Sequence, residues 1–264
     1  AANTAMGASA LSANTTASNN TAVGYQAAYS NTNAPDNTSV GYKAMYATTT
    51  GDANTAMGSQ ALYANTTGIV SCAFGNQALY SATTGGYNSA FGYQALKSTT
   101  TGQFNVGVGL QALYSNTTLS GNTAVGYQAA YTGASLTNLT AVGYQAAYSM
   151  TSGTVSTMIG YRAGFNTTTG SINSFFGESA GYSNTTGSAN LFLGREAGYY
   201  CTTGSGNIVV GGTTSGNTYA PVFGITTETD RVVVGSTSVS NAYIKVAWTV
   251  TSDARDKTNI NPIP

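Results

Sequence analysis

Eight carboxylates, eight cationic side chains and no histidine bound the chemistry open to this chain of 264 residues. A serine relay of the Ser-His-Asp kind needs an imidazole to accept the hydroxyl proton, so it is excluded. Glycoside hydrolysis needs two carboxyl groups about 5 to 10 Å apart. Asp36 and Asp52, sixteen residues apart, and Glu178 and Glu196, eighteen apart, are the pairs that adjacent turns of a repeat would bring near one another. Each of these acids reads better as a charge on an exposed turn, and no catalysis on an external substrate is expected. What remains is recognition. Tyr29, Tyr46, Tyr63, Tyr80, Tyr114, Tyr131 and Tyr148 recur at multiples of seventeen residues, and Gln26, Gln60, Gln77, Gln94, Gln111, Gln128 and Gln145 recur on the same period three places earlier. Facing outward, such columns would form a ligand-binding surface of rings and amides suited to a cell-surface glycan. Facing a seam or the next turn, the tyrosines would serve packing instead. The sequence leaves both readings open.

The element that positions these columns is a repeat. Glycine stands at 7, 24, 41, 58, 75, 92, 109, 126, 143, 160, 177, 194 and 211, and the third residue after it is alanine in every unit from Ala10 to Ala197. A unit this short cannot bury an apolar face alone and must stack on its neighbours, which predicts a parallel β-solenoid. Polar low-complexity tracts can also be disordered or amyloid-prone, but disorder requires no constant spacing of glycines. At a strand spacing of about 4.8 Å per coil, Cys72 and Cys201, seven repeats apart, stand roughly 34 Å apart along the axis and cannot pair within one chain. Two isolated cysteines without histidine disfavour structural zinc and fit a reducing compartment; no metal and no cofactor is expected.

Within the unit, the residue before the glycine is always apolar, from Met6 and Val23 to Leu193 and Val210, and is expected to be the inward-facing column. With alanine or serine two before the glycine and tyrosine often one after it, N-T-A-V-G-Y reads as a short strand. Asparagine stands four before the glycine except at Ser71, Leu139 and Ser156, which predicts an amide ladder. Ten after it, eight of twelve units carry glycine, suited to a turn with positive φ, and Ala17, Ala34, Leu119 and Leu136 depart. The stretch Y-Q-A-L-Y is read as strand, with one helical turn per coil as the alternative. Large apolar residues are too few for a thick core, so such a coil would gain by burying one side against other chains.

Only 6% of residues are charged and the formal net charge is zero. Nucleic-acid binding needs clustered Lys and Arg, and the scattered basic residues exclude that class. No apolar run is long enough for a membrane span, and no segment has the pattern of a signal peptide. The chain opens mid-repeat at Ala1 and is expected to be a piece of something longer.

Two resemblances add to this reading. A-V-G-Y-Q-A, at Ala22–Ala27 and Ala124–Ala129, resembles the core of the head repeats of trimeric autotransporter adhesins, over Ala1 to about Gly211. That resemblance implies a left-handed parallel β-roll of three chains, with a longer turn here than in those heads. Ser252-Asp253-Ala254-Arg255-Asp256-Lys257-Thr258-Asn259-Ile260 is similar to the opening of the C-terminal intramolecular chaperone domain of phage tailspikes and tail fibres. It implies self-cleavage between Ser252 and Asp253, with Ser252 as nucleophile and Lys257 as its base. Asp256 stands where many members of that family carry leucine. Between the two regions the period is lost, and V-V-V-G at Val232–Gly235 and A-Y-I-K-V-A-W at Ala242–Trp248 resemble a trimeric β neck.

The expected protein is therefore all-β: a trimeric solenoid shaft over 1–211, a β neck over 212–251 and the start of a chaperone domain over 252–264. The expected function is that of a phage tail fibre, a virion component that attaches to a host through a surface glycan or protein. Its partners would be two identical chains, with no nucleic acid and no membrane insertion. A bacterial surface adhesin and an extracellular structural filament are the alternatives.

Overall fold

The computed structural model of the chain describes residues 2–212 and 224–239. Sixteen three-residue strands follow one another: β1 (Thr4–Met6), β2 (Thr21–Val23), β3 (Thr38–Val40), β4 (Thr55–Met57), β5 (Cys72–Phe74), β6 (Ser89–Phe91), β7 (Val106–Val108), β8 (Thr123–Val125), β9 (Ser135–Thr137), β10 (Thr140–Val142), β11 (Ser152–Thr154), β12 (Thr157–Ile159), β13 (Ser174–Phe176), β14 (Leu191–Leu193), β15 (Ile208–Val210) and β16 (Val232–Val234). All but β9 and β11 form one fourteen-stranded parallel sheet in chain order, and β9 pairs with β11 beside it. Partners stand seventeen residues apart, as Thr4 with Thr21 and Thr140 with Thr157. No helix occurs among the described residues, so the fold is the expected all-β parallel solenoid, without the alternative of a helical turn per coil.

The last pairing differs. Ile208 is opposite Val232, twenty-four residues on. The seven added residues fall between Gly211 and Thr226, because the Thr202 amide donates to Thr226 O at 2.7 Å just as the Thr185 amide donates to Thr202 O. The described part of the segment ascribed to a neck thus continues the shaft's ladder as far as Val234. The strand expected at Ala242–Trp248 and the residues Ser252, Asp253 and Lys257 lie outside the described residues.

Each strand alternates its side chains across the sheet, and here the alternation runs opposite to expectation. The residue before the glycine points outward, with Met6 65% and Leu193 46% exposed, while the residue two before it, Ala56, Ala73 or Ala90, is fully buried. The physical reason is the narrow interior: each coil has room beside the strand for an alanine, so the small residue takes the inner side and the bulky one the outer. Where the inner residue is large the opposite wall shrinks to match. Met158, Phe175 and Phe192 face Gly164, Gly181 and Gly198, and a Cβ at Gly181 or Gly198 would sit 2.5 Å from the facing ring. The smaller Ala56, Ala73 and Ala90 accompany the buried Leu62, Leu79 and Leu96 in the same coils.

The strand ends at the repeat glycine for two reasons. Its φ is positive, 132° at Gly24, and a Cβ there would lie 2.5 Å from Gly41 O in the next coil. The stretch Y-Q-A-L-Y is neither strand nor helix but a run of turns in which alternate residues take left-handed φ, as Gln60 at 57° and Leu62 at 50°. That alternation lets the Gln60 amide donate back to Tyr42 O at 2.8 Å and the Leu62 amide forward to Ala78 O at 3.0 Å, with Leu62 buried. The glycines ten after the repeat glycine correct a further expectation. Only Gly153 among them has positive φ. The others are needed because the coils approach so closely that a Cβ at Gly51 would collide with Gly68 O.

Two columns of buried polar side chains line the interior corners. Asn54 donates through Nδ2 to Gly68 O at 2.8 Å, and its Oδ1 accepts the Ser71 amide at 2.9 Å. Asn65 closes the same turn, donating to Gly68 O and accepting the Gly68 amide. The expected amide ladder therefore stands as a column, but most of its bonds run to backbone, which satisfies buried peptide groups that water cannot reach. Between β8 and β12 the polar corners give way to buried Leu136, Leu139 and Met150, where β9 and β11 replace the usual turn.

Candidate functional site

The seven tyrosines Tyr29, Tyr46, Tyr63, Tyr80, Tyr114, Tyr131 and Tyr148 do form columns. Ring centroids lie 5.2 Å apart for Tyr29–Tyr46, 5.1 Å for Tyr63–Tyr80 and 5.3 Å for Tyr131–Tyr148, with planes within 6° of parallel. The second column runs on through Phe165 and Tyr182 to Tyr199. Neighbouring rings cover one another's faces, so these half-buried residues present edges and hydroxyls outward. Lys97 takes the place of a ring between Tyr80 and Tyr114, with Nζ 5.6 Å from the Tyr114 centroid. Burial, and then the neighbouring Tyr114 and Tyr148, hold the Tyr131 phenol above its ordinary pKa; burial first and Tyr182 next do the same for Tyr199.

Beside the rings runs a continuous amide ladder. Gln77 donates to Gln60 at 3.0 Å, and Gln94, Gln111, Gln128 and Gln145 follow at 2.9 to 3.1 Å. Arg162 ends it by donating to Gln145 Oε1 at 3.2 Å while its guanidinium lies over Tyr161 and Phe165. Lys43 stands in the glutamine position over Tyr42 and Tyr46.

The two acid pairs fare differently. Asp36 accepts from Asn19 at 3.0 Å on an exposed corner. Glu178 and Glu196 are drawn together, but around Arg195, whose Nε is 3.4 Å from Glu178 and whose Nη2 is 3.3 Å from Glu196. Arg195 had no part in the sequence reading, and it makes this cluster an ion-pair network on the surface. Among the described residues no group of acids, cysteines and histidines could hold a metal ion.

The most extensive feature is one that sequence reasoning missed by turning the strands inside out. Four outward positions lie side by side in each coil: two before the strand, the strand's first and third residues, and the residue just past the glycine. At β6 these are Tyr87, Ser89, Phe91 and Tyr93; at β7 Phe104, Val106, Val108 and Leu110. All the exposed large apolar or tyrosine side chains of the described residues fall in these columns except Tyr200 and Val239. Charges on the whole face are confined to Asp36, Glu178, Arg195 and Asp230. At the C-terminal end even the first strand position turns apolar, with Leu191, Ile208 and Val232 exposed. The signal that would have found this face was the alanine, which fits the interior better than the valine beside it.

The fold and this face define the chain as a parallel β-solenoid repeat protein that is apolar on one side. No protein-family model matches the sequence, and no curated protein is significantly similar to it.

Proposed function

We propose that the chain is the shaft of a homotrimeric surface fibre, specifically a phage tail fibre that attaches the virion to its host. The single observation that carries this reading is the apolar face. Thirteen strand spacings of about 4.8 Å give a length of ~62 Å, and six residues across at about 3.3 Å give ~20 Å. The resulting ~1,200 Å² exceeds the roughly 800 Å² per partner of a stable interface. A face this long and this poor in charge is costly in water, and a surface with the same coil spacing, such as a second copy, matches it along its whole length. The similarity of Ser252–Ile260 to the chaperone domain of tail fibres favours the phage; the similarity of A-V-G-Y-Q-A to adhesin heads keeps a bacterial surface adhesin as the second reading.

Glycan contact belongs on the strip that flanks the seam, since Lys43 and Arg162 in the glutamine column each reach a ring of the apolar face, Tyr42 or Tyr161, and a ring of the tyrosine column, Tyr46 or Phe165. There the tyrosine hydroxyls and the glutamine amides supply hydrogen-bonding groups, and the covered ring faces make stacking on sugars secondary. Self-cleavage, if it accompanies assembly, would use Ser252 on the bond to Asp253. The test is the solution mass by light scattering together with cryo-electron microscopy. Three chains in a rod with three-fold symmetry are expected, and a monomeric chain would overturn the proposal. Replacing Ser252 with alanine in the full-length gene product reads cleavage separately, as a change in chain length.

A further inference from the structure

A fibre built from identical coils has a problem of alignment. A neighbouring chain displaced by one coil meets almost the same surface, so the repeat alone does not choose one axial register. One column on the apolar face breaks the repetition. The residue two before each strand of the long sheet has left-handed φ from β2 to β16: 62° at Asn19, 60° at Asp36, 54° at Ala53, 53° at Val70, 58° at Tyr87, 57° at Phe104, 53° at Asn138, 51° at Val155, 60° at Ile172, 56° at Ala189 and 56° at Asp230, with glycine at 121 and 206. Asn, Asp and Gly suit that conformation, whereas β-branched and bulky residues are outliers there.

Val70, Tyr87 and Phe104 form one block of bulky residues and Val155 and Ile172 a second, separated by Gly121 and Asn138. They are 44 to 61% exposed. Leu62 and Leu79 also carry left-handed φ, but burial in the core offsets its cost. For the exposed residues the chain supplies the inter-coil backbone bond that smaller residues of the column make as well, such as the Val70 amide to Asp52 O at 3.1 Å, and the side chains add the stacking of Tyr87 on Phe104 at 5.1 Å. Val70, Val155 and Ile172 thus combine backbone strain with apolar exposure on the one face that is otherwise suited to a partner.

Resting on the fibre reading above, we propose that these two blocks are the axial register key of the assembly. Around a three-fold axis each block meets the same block of the second copies at equal height, so that a slip by one coil sets Phe104 against Gly121 or Val70 against Ala53 and leaves a hollow unfilled. Chains then align end to end at one height.

The experiment uses the full chain carrying Cys72→Ser and Thr118→Cys, a spin label on the exposed Thr118 position away from the face, and pulsed dipolar distances between chains; Cys201 is buried and stays unlabelled. Assemblies without further changes should give a single narrow distance. Changing Val70, Tyr87, Phe104, Val155 and Ile172 together to asparagine, a residue already housed at 19 and 138, should leave the circular dichroism and thermal midpoint of the coil unchanged or raised. It should broaden the distance into several peaks separated by one-coil displacements. A variant with only Val155→Asn and Ile172→Asn should broaden it less. A single unchanged distance in both variants would overturn the register key while leaving the fibre reading intact. A monomer before any block is changed would overturn both, and would mean that the face is kept for a partner of another kind.

Discussion

Gly181 and Phe175 show how a single residue decides a coil. The glycine has φ of 62° and a methyl there would meet the Phe175 ring, so Gly181→Ala should destabilise the chain by about 1–3 kcal/mol through overpacking. Phe175→Ala removes a fully buried ring and should cost about 3–5 kcal/mol. The double change Phe175→Ala with Gly181→Leu recreates the arrangement of Ala56 and Leu62, and should cost clearly less than the ring deletion alone. Denaturant titration of Phe175→Ala, Gly181→Leu and the double change closes a double-mutant cycle; purely additive costs would refute the pairing. The two thiols make a second prediction at this scale. Burial, opposed by a backbone hydrogen bond at Gly204, pushes the Cys201 thiol up to about 11, and Sγ donates to Gly204 O at 3.6 Å. Since the thiolate is the nucleophile, a maleimide at neutral pH should label half-buried Cys72 well before Cys201. If three chains meet on the apolar face, assembly should slow Cys72 as well.

The tyrosine column, an element rather than a residue, has a consequence for pH. Tyr131 and Tyr199 are held neutral in the folded chain above the ordinary phenol value of 10.0. An acid whose folded pKa is raised contributes stability that is full below the unfolded pKa and lost as pH climbs through the folded one, because the unfolded chain releases its protons first. Thermal midpoints should therefore decline from pH about 9 through the raised Cys201 thiol and more steeply above pH about 10 as the tyrosines join it, and changing both tyrosines to phenylalanine should reduce the steeper part. A decline that begins near pH 8 and is unaffected by the double change would contradict the assignment. The asparagine corner is the other element whose loss is predictable. Asn54→Ala would leave the Ser71 amide without a partner in a site fully closed to water, while Gly68 O would keep only its bond from Asn65. At about 1–3 kcal/mol for an unsatisfied buried group, the loss should reach roughly 1–3 kcal/mol by urea titration.

Over the whole molecule, stability should accumulate coil by coil. Deleting 59–75 joins Gly58 to Asn76 and removes one repeat without disturbing any column. Circular dichroism should show the sheet retained, with a modest drop in thermal midpoint. Deleting 59–74 shifts every later residue by one place, turns the inner alanine side of each following strand outward and should collapse the C-terminal part. Equal tolerance of both deletions would mean that the columns do not hold the coils together.

How much of this was legible follows from what kind of force set each feature. The period, the parallel stacking of short strands, the glycine corners and the asparagine columns were all readable in the sequence, because each is a local requirement that recurs at the same place in every unit. The pairing of Phe175 and Phe192 with Gly181 and Gly198 was also written there, as opposite changes six residues apart. Which side of the strand lies inside was not. Valine and alanine are both apolar, and only the width of the closed coil assigns the alanine to the interior and the valine to the surface. The form of Y-Q-A-L-Y was hidden for a similar reason, since its left-handed Gln60 and Leu62 oppose local preference and hold only through hydrogen bonds to the coils on either side. The sequence by itself thus determined the repeat and the contacts made once per coil, whereas the tertiary structure decided the facing of the strands and with it the apolar side, because facing depends on the space left when the coil closes.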